Sequence, residues 1–319
     1  MTNAKKVGIA AFLVICLGVI GYLLLGYEPP ANPKAERIAF TAGSTPWLEA
    51  AIFLNYDIYV MNVEGQGLTR ITWQADIDDM PTWSPQGDKI AYTRIDGLYM
   101  MNADGSGEPE LLWQGSGRGT TLTPAWSPDG SRIAFADAED ASLYILDIGT
   151  RQAVRLTDGT ISSDSPTWSP DGKRIAFTIR PFISTPGGGP EGQIAVINVD
   201  GAGFTHLTDV GVDSSDSPRW SPDGKQIAFE RGGSIFVMDA DGTNVRTLVR
   251  GGWNLSPTWS PDGTRIAFVS LRNSTCGTSL TDAPVFCTSE LYVMNADGSN
   301  VRLLRSKRNE KIVDPAWAP

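Results

Sequence analysis

Hydrophobic residues follow two different patterns along this chain of 319 residues. Between residues 7 and 26 they form one apolar run without a charge, VGIAAFLVICLGVIGYLLLG, whereas beyond residue 36 they occur in short groups such as RIAF and IYVM. About 20 apolar residues are enough for a helix to cross the hydrocarbon core of a membrane. Short apolar groups separated by Gly, Pro and Asp are typical of β-strands joined by tight turns. The sequence therefore predicts one transmembrane helix followed by an all-β domain.

A tryptophan motif repeats through the all-β part with a period of about 42 residues. Its copies read DMPTWSPQGDKIAYT, LTPAWSPDGSRIAFA, DSPTWSPDGKRIAFT, DSPRWSPDGKQIAFE and LSPTWSPDGTRIAFV, and the chain ends on VDPAWAP. A second string follows in each unit, as in IYVMNVEG or LYVMNADG, and a short segment such as LTRIT or VRLTD completes it. Ser-Pro-Asp-Gly favours a hairpin turn, because Pro and Gly supply the backbone angles that such a turn requires. Each unit therefore predicts four short strands.

The order of the strands indicates how the units are arranged. Proline stands two positions before each repeat tryptophan, so the first strand of every unit is predicted at a sheet edge, where a missing N–H is tolerated. Residues 37–40 supply a second strand with no first strand before it, and residues 313–319 supply a first strand with nothing after it. The two fragments complete one sheet. Residues 37–319 are therefore predicted to form a six-bladed β-propeller closed by the 313–319 strand.

The recurring P-x-W-S-P-D-G-x-x-I-A-F, followed by Y-V-M-N-x-D-G and L-T, resembles the propeller repeat of TolB-type (WD40-like) proteins. The resemblance extends over about residues 37 to 319 and implies the β-propeller fold. It also implies a protein-binding role, because TolB-type proteins bind partners such as the lipoprotein Pal and TolA in the cell envelope. Proteins of this type carry an additional α/β domain before the propeller, and the resemblance does not include that domain.

The amino-terminal segment sets the predicted location. Residues 1–6 are expected to form a short cytoplasmic tail, residues 7–26 the transmembrane anchor and residues 27–36 a Pro-rich tether. An uncleaved anchor is favoured over a cleaved signal, because no good small-x-small site follows the apolar run before Lys34. The propeller is therefore expected on the extracytoplasmic side of the cell membrane, either periplasmic or extracellular.

Composition removes several classes of function. The net charge of −10, from 26 Lys and Arg against 36 Asp and Glu, opposes binding to nucleic acid. His206 is the only histidine, and its position on an outermost fourth strand favours a solvated side chain over a catalytic one. The Asp-Gly pairs lack the spacing of an EF-hand and are interpreted as turns. We expect no catalytic residue, no metal ion and no cofactor.

An incomplete ring of aspartates is the candidate partner-binding site. Asp79, Asp164 and Asp216 each stand four positions before a repeat tryptophan, where the first strand begins at one mouth of the central channel. Further aspartates lie close to them in the sequence: Asp76, Asp78 and Asp213. The ring predicts a negative mouth that binds a cation or a basic peptide segment of a partner. The alternative is that each carboxylate bonds the backbone of its own loop as a turn anchor.

Two cysteines suggest a covalent link. Cys276 and Cys287 lie outside the apolar run, in an extra loop of the last unit. Export would place them in an oxidising compartment, so a disulfide between them is predicted, with two free thiols as the alternative.

These observations favour a membrane-anchored extracytoplasmic propeller that acts as a protein-binding or scaffolding module of the cell envelope. The expected partner is an envelope or membrane protein. The first alternative is a propeller enzyme, a lyase or hydrolase with its site in the channel funnel. The second alternative is a sensory or assembly subunit of a larger membrane complex.

Overall fold

The computed structural model of the protein describes residues 36–44, 56–73, 77–115, 122–180, 192–209, 213–274, 276–278, 284–307 and 310–319. Within these ranges the regular elements are β-strands, and no helix is long and apolar enough to cross a membrane. The predicted anchor, residues 7–26, lies outside the described residues. The predicted all-β class is confirmed for the part of the chain that the structure describes.

The described strands form six four-stranded antiparallel sheets, the blades of a propeller, together with one small hairpin. The closing blade takes β1 (Arg37–Ser44), β2 (Tyr56–Asn62) and β3 (Thr69–Arg70) from the amino end of the domain. Blade 1 contains β4 (Asp79–Trp83), β5 (Lys89–Arg94), β6 (Gly97–Asn102) and β7 (Glu110–Gln114), and blade 2 contains β8 (Leu122–Trp126), β9 (Arg132–Asp137), β10 (Ser142–Asp147) and β11 (Ala153–Arg155). Blade 3 contains β12 (Ser162–Trp168), β13 (Arg174–Arg180), β14 (Gln193–Asn198) and β15 (Thr205–His206).

Blade 4 contains β16 (Ser215–Trp220), β17 (Gln226–Arg231), β18 (Ser234–Asp239) and β19 (Arg246–Val249). Blade 5 contains β20 (Asn254–Trp259), β21 (Arg265–Ser270), β24 (Glu290–Asn295) and β25 (Arg302–Arg305), and the hairpin β22 (Cys276–Thr278) with β23 (Pro284–Cys287) is inserted between β21 and β24. The last strand, β26 (Glu310–Trp317), is the edge strand of the closing blade. The predicted count of six blades is confirmed.

The closing blade joins the two ends of the propeller. β26 pairs antiparallel with β1, and Trp317 faces Ile38 across the two strands. The N–H of Ala318 donates to the carbonyl of Arg37 at 2.8 Å. Ile38 and Ile312 are fully buried at this contact and Trp317 is 7% exposed. The carboxyl-terminal strand therefore completes the hydrophobic packing of a sheet whose other three strands come from the amino end.

Neighbouring blades pack through their second and third strands. Ile133 and Phe135 of β9 are fully buried on the side of blade 1, and Ala134 is fully buried on the side of blade 3. Phe135 stacks on Tyr144 of the adjacent strand with ring centroids 5.3 Å apart. The repeated I-A-F string thus alternates large and small side chains between the two faces, which is how one sheet fills two different inter-blade spaces.

The Ser-Pro-Asp-Gly turns are closed by their own side chains. In blade 2 the Ser127 hydroxyl donates to Asp129 Oδ1 at 2.5 Å, and the Ser131 N–H donates to the same oxygen at 3.0 Å. These bonds lower the pKa of Asp129 to about 2. Gly130 has a φ of 74°, a left-handed conformation that favours glycine. The sequence interpretation of these Asp-Gly pairs as turns matches this local geometry.

The hairpin inserted in blade 5 carries the two cysteines of the extra loop. Its register places Cys276 directly opposite Cys287, and Cys287 is disulfide-bonded. Both observations support the predicted pairing of these two residues, which thiol counting tests.

Candidate functional site

The first strand of each blade lines the central channel, and its direction distinguishes two ends of the propeller. The end at which the first strands begin, as at Asp79 in β4 and Asp216 just inside β16, is called the mouth. The opposite end carries the Ser-Pro-Asp-Gly hairpins and is called the turn face. Loops that join one blade to the next lead to the mouth, so residues at equivalent repeat positions converge there.

Five first strands are bulged next to the mouth and hold a left-handed residue directly before the repeat proline. These residues have φ between 48° and 55°: Met80, Ser165, Ser217, Ser256 and Asp314. Such a conformation is uncommon for residues other than glycine, and proline restricts the preceding residue further. Strained backbone that the surrounding structure maintains is concentrated at functional sites, so this end of the channel is a candidate functional site.

Arg180 connects two of the predicted ring aspartates. It stands at the end of β13 and forms an ion pair with Asp216, and its Nη1 lies 3.3 Å from Asp164 Oδ2. The three side chains remain between 15 and 38% exposed. The guanidinium offsets part of the negative charge, so the two carboxylates do not simply repel each other across the mouth.

Two half-buried carboxyl groups in the channel are linked by one serine. Ser256 donates its backbone N–H to Glu230 Oε2 at 2.8 Å and its hydroxyl to Asp314 Oδ1 at 3.3 Å. Burial raises the pKa of Glu230 to about 7, although the Ser256 N–H acts in the opposite direction. Burial, and then the charge of Asp79, raise the pKa of Asp314 well above its usual range. Blade 4, blade 5 and the closing blade therefore meet at groups whose charge depends on pH near neutrality.

Arg219 places a cation in the same channel. It lies on β16, one position before the repeat tryptophan, and its Nη1 donates to the Pro218 carbonyl at 2.9 Å. Burial lowers the pKa of Arg219, whereas the charges of Asp314 and Glu230 raise it. Among the described residues no carboxylate reaches ion-pairing distance, so the other N–H groups of this guanidinium are available to the channel space.

The channel encloses a cavity of about 510 Å³. The charged part of its wall is formed by side chains from blade 3, blade 4 and the closing blade: Asp164, Arg180, Asp216, Arg219, Glu230 and Asp314. Repeat prolines and tryptophans contribute to the remaining wall, together with threonines, serines and turn prolines. A cavity of this size, with charged groups of both signs and apolar edges, fits a small molecule or a short segment of polypeptide.

The structure brings together part of the predicted aspartate cluster. Three members lie at the mouth as their repeat positions imply: Asp79, Asp164 and Asp216. Asp78 is 0% exposed and its Oδ1 lies 2.7 Å from Arg94 Nε, so this carboxylate does not face a partner. Asp213 is exposed in the loop before β16, and Asp76 lies outside the described residues.

The turn-anchor interpretation also has support in the geometry. Asp79 accepts the N–H of Met80 at 2.8 Å, and Asp164 accepts the N–H of Ser165 at 2.6 Å. Asp216 instead accepts the hydroxyl of Ser214 at 2.6 Å. A carboxylate has two oxygens, so anchoring of the loop through one oxygen leaves the charge in place at the mouth.

His206 lies on β15, the outermost strand of blade 3, where its Nδ1 is 3.1 Å from Gln193 Oε1. The part of the chain that the structure describes contains no group of three or more His, Cys, Asp and Glu residues that could hold a metal ion.

Arg219 and Glu230 are not among the residues that the repeats share, so the repeat pattern does not predict them. Arg219 stands where other blades have Thr or Ala, and Glu230 follows I-A-F where other blades have Thr, Ala or Val. A charged residue at a position that is uncharged in the other blades is therefore the sequence signal that indicates these site residues. The corresponding signal for Arg180 is weaker, because this residue follows an I-A-F string by three positions and lies beyond the aligned core of the repeat.

Several solved structures share the propeller fold of this chain. TolB from Acinetobacter baumannii is 24% identical, with a TM-score of 0.69 over 89% of this chain and 67% of its own. A putative TolB from Agrobacterium tumefaciens is 20% identical, with a TM-score of 0.64 over 89% of this chain and 99% of its own. An oligogalacturonate lyase in complex with manganese is 18% identical, with a TM-score of 0.51 over 78% and 70%.

These structural likenesses concern the fold, and none of the curated proteins matches the chain significantly. The sequence profile of the TolB beta propeller domain matches residues 112–319, which is more than half of the chain and spans blades 2 to 5 and the closing strand. The chain therefore belongs to the TolB beta propeller domain family.

Proposed function

We propose that this propeller is a protein-binding or scaffolding module of the cell envelope, and that its partner binds at the mouth of the channel. The observation that carries the proposal is the 510 Å³ cavity, into which both guanidinium and carboxyl groups are directed. Residues 7–26 would anchor the chain in the cell membrane, with the propeller on the extracytoplasmic side.

The charges at the mouth indicate the chemistry of the partner. Arg180 offsets part of the charge of Asp164 and Asp216, and Arg219 adds a second cation in the channel. The Asp79 carboxylate adds a further negative charge without an ion pair among the described residues. A basic segment of a protein, or a cation, fits the remaining negative balance. Because these side chains are partly exposed, the attraction is screened by salt, and binding should weaken as the ionic strength rises.

Site-specific photocrosslinking tests the position of the partner. Asp213, exposed beside the mouth, is replaced by p-benzoylphenylalanine in the full chain in its host, and Asp241, exposed on the turn face, is replaced in a matched control. The proposal expects a discrete protein adduct from the Asp213 variant that the Asp241 variant does not form. Equal adducts from both variants, or adducts only from the control, would contradict it.

The anchor has its own test. Full-length protein should remain in the membrane pellet after an alkaline carbonate wash, and a chain that begins at residue 36 should not. Release of the full-length protein by the wash would reject the anchor and leave the proposal for the mouth intact.

A second candidate function is an enzyme with its site in the funnel. The observation in its favour is the pair Glu230 and Asp314, whose raised pKa values lie where general acid–base catalysis at neutral pH requires them. One of the similar structures is an oligogalacturonate lyase in complex with manganese, so acidic oligosaccharides with added manganese are the first substrates to assay. Turnover that Glu230→Gln abolishes would favour the enzyme, and absence of turnover would favour the binding module.

A further inference from the structure

The seams between neighbouring blades are closed on the turn face by arginine stacked on tryptophan. The residue that opens the second strand of one blade lies over the repeat tryptophan of the next blade, with the guanidinium carbon 4.7 to 5.3 Å from the ring centroid. Among the described residues four pairs have this geometry: Arg37 with Trp83, Arg132 with Trp168, Arg174 with Trp220, and Arg265 with Trp317. At these four seams the repeat thus contains a binding site for a guanidinium group, and an arginine of the same chain occupies it.

The seam between blades 4 and 5 lacks the arginine. Gln226, the first residue of β17, stands where the four filled seams have an arginine, and it lies at the interface that contains Trp259. A cavity of about 550 Å³ lies there, and both residues contribute to its wall. Gln226 is shorter than arginine and neutral, and Trp259 is 8% exposed, compared with 6 or 7% for the four tryptophans that lie under an arginine.

The wall of this seam cavity is acidic. Three carboxylates from turns of blades 4 and 5 contribute to it: Asp223, Asp262 and Asp297. Hydrogen bonds to these aspartates, led in each case by a serine side chain of the same turn, hold their pKa values below the ordinary range, so all three are charged at neutral pH. Arg246 in the same wall, and Lys225, whose Nζ lies 3.4 Å from Asp223 Oδ2, supply two opposing charges. The formal balance of the cavity is therefore negative and attracts a cation.

A backbone acceptor completes the site. At the filled seam of the closing blade, Arg37 Nη2 donates to the Gly87 carbonyl at 3.3 Å. Gly263 occupies the same place in the turn of blade 5 and contributes to the wall of the seam cavity. A guanidinium on Trp259 would find the ring face, this carbonyl and the carboxylates within one cavity.

We propose that the seam between blades 4 and 5 binds the guanidinium group of an arginine side chain that a second protein presents in an extended segment. The site lies on the turn face, at the far end of β20 from the mouth. Trp259 also borders the channel cavity, so the test needs variants that change the seam cavity alone.

The chain itself discriminates between arginine and lysine. Lys89 occupies the equivalent position at the seam between blades 1 and 2, but its ammonium bonds Asn102 Oδ1 of its own blade at 2.6 Å. Among the described residues no cation lies over Trp126 at that seam. A planar guanidinium stacks on an indole face and still directs its N–H groups sideways, whereas an ammonium is a compact, strongly hydrated charge. The seam cavity should therefore prefer arginine to lysine.

The test uses the ¹⁵N-labelled full-length chain and the peptide acetyl-Gly-Arg-Gly-amide. The indole N–H signal of Trp259, identified by its loss in Trp259→Phe, should shift and saturate with a Kd on the order of 1 mM. The same peptide with citrulline, which keeps the shape without the charge, should bind roughly tenfold more weakly, and the lysine peptide should also be weaker. No saturable shift, or equal binding of the citrulline peptide, would overturn the proposal.

Two variants separate occupancy of the cavity from general charge effects. Gln226→Arg fills the seam from within and should abolish the response of Trp259 to the peptide, whereas Lys89→Arg, the matched control at another seam, should leave it unchanged. Asp297→Asn provides a second measurement that does not depend on how Gln226→Arg folds, and it should weaken binding about threefold. Unchanged affinity in both Gln226→Arg and Asp297→Asn would place the peptide elsewhere and reject the site.

Discussion

Truncation of Trp317 to alanine tests whether the carboxyl-terminal strand holds the ring closed. Trp317 is 7% exposed, packs with Ile38 and Ile312, and lies under the guanidinium of Arg265. Removal of a buried tryptophan side chain costs about 3–5 kcal/mol because contacts are lost and a cavity remains. For a domain of this size that corresponds to a fall in the thermal midpoint of roughly 6–20 °C.

Two control variants show what the loss of a buried and of an exposed tryptophan costs in the same protein. Trp168→Ala removes the equivalent tryptophan of blade 3, where the chain is continuous, and should cost a similar amount, since Trp168 is 6% exposed. Trp73→Ala removes a side chain that is 71% exposed and should change the free energy of unfolding by less than about 0.5 kcal/mol. Thermal and urea unfolding of the three variants would refute the reasoning if Trp317→Ala behaved like Trp73→Ala.

Four further outcomes are expected. Deletion of residues 313–319 removes most of β26, the channel-lining strand of the closing blade, and should lower the free energy of unfolding at least as much as Trp317→Ala does. That loss is a large share of the roughly 5–15 kcal/mol that stabilises a typical domain, and an unchanged thermal midpoint would contradict the predicted closure. Thiol counting on the unreduced, denatured protein should find neither Cys276 nor Cys287 reactive, and reduction of their bridge should cost about 2–3 kcal/mol. In the folded protein Glu230 keeps its proton up to a pKa of about 7, whereas in the unfolded chain it loses the proton near pH 4.5, so the free energy of unfolding should fall by up to about 3 kcal/mol as pH rises between these values. Urea titrations should show that the free energy of unfolding of Glu230→Gln depends less on pH. An identical pH dependence in the variant and the unmodified chain would contradict the assignment. Arg174→Gln removes a guanidinium from a buried seam and should lower stability by about 1 kcal/mol, measured against the exposed control Lys173→Gln.

The fold was predictable because its determinants are local and repeated. A tryptophan, a Pro-Asp-Gly turn and an I-A-F strand recur in each unit, and each string has only one arrangement that buries its apolar residues and satisfies its turn. The closure of the ring was predictable for the same reason, since residues 37–40 and 313–319 are complementary fragments of one repeat.

The chemistry of the channel was predictable only in part. The ring positions of Asp164 and Asp216 follow from the repeat, but their partner Arg180 reaches them from β13, the strand next to that of Asp164, and no periodicity specifies such a contact. The raised pKa of Glu230 depends on its burial in the folded protein, which no local string of the sequence specifies. Residues that break the repeat, Arg219, Glu230 and Gln226, identify both cavities, and this signal is visible in the sequence once the units are aligned.

The proposed role of the mouth is tested most directly by the affinity of the crosslinked partner for a variant that lacks its charges. Two triple variants remove three negative charges each: Asp79, Asp164 and Asp216 to asparagine at the mouth, and Asp104, Asp200 and Asp241 to asparagine on the turn face. Asparagine keeps the oxygen that accepts the loop N–H, so the turns are retained. In calorimetric titrations at low and high salt, the mouth variant should bind more weakly and lose most of the salt dependence, while the turn-face variant should bind like the unmodified chain. Equal affinity and equal salt dependence in the mouth variant would show that these aspartates only anchor their loops.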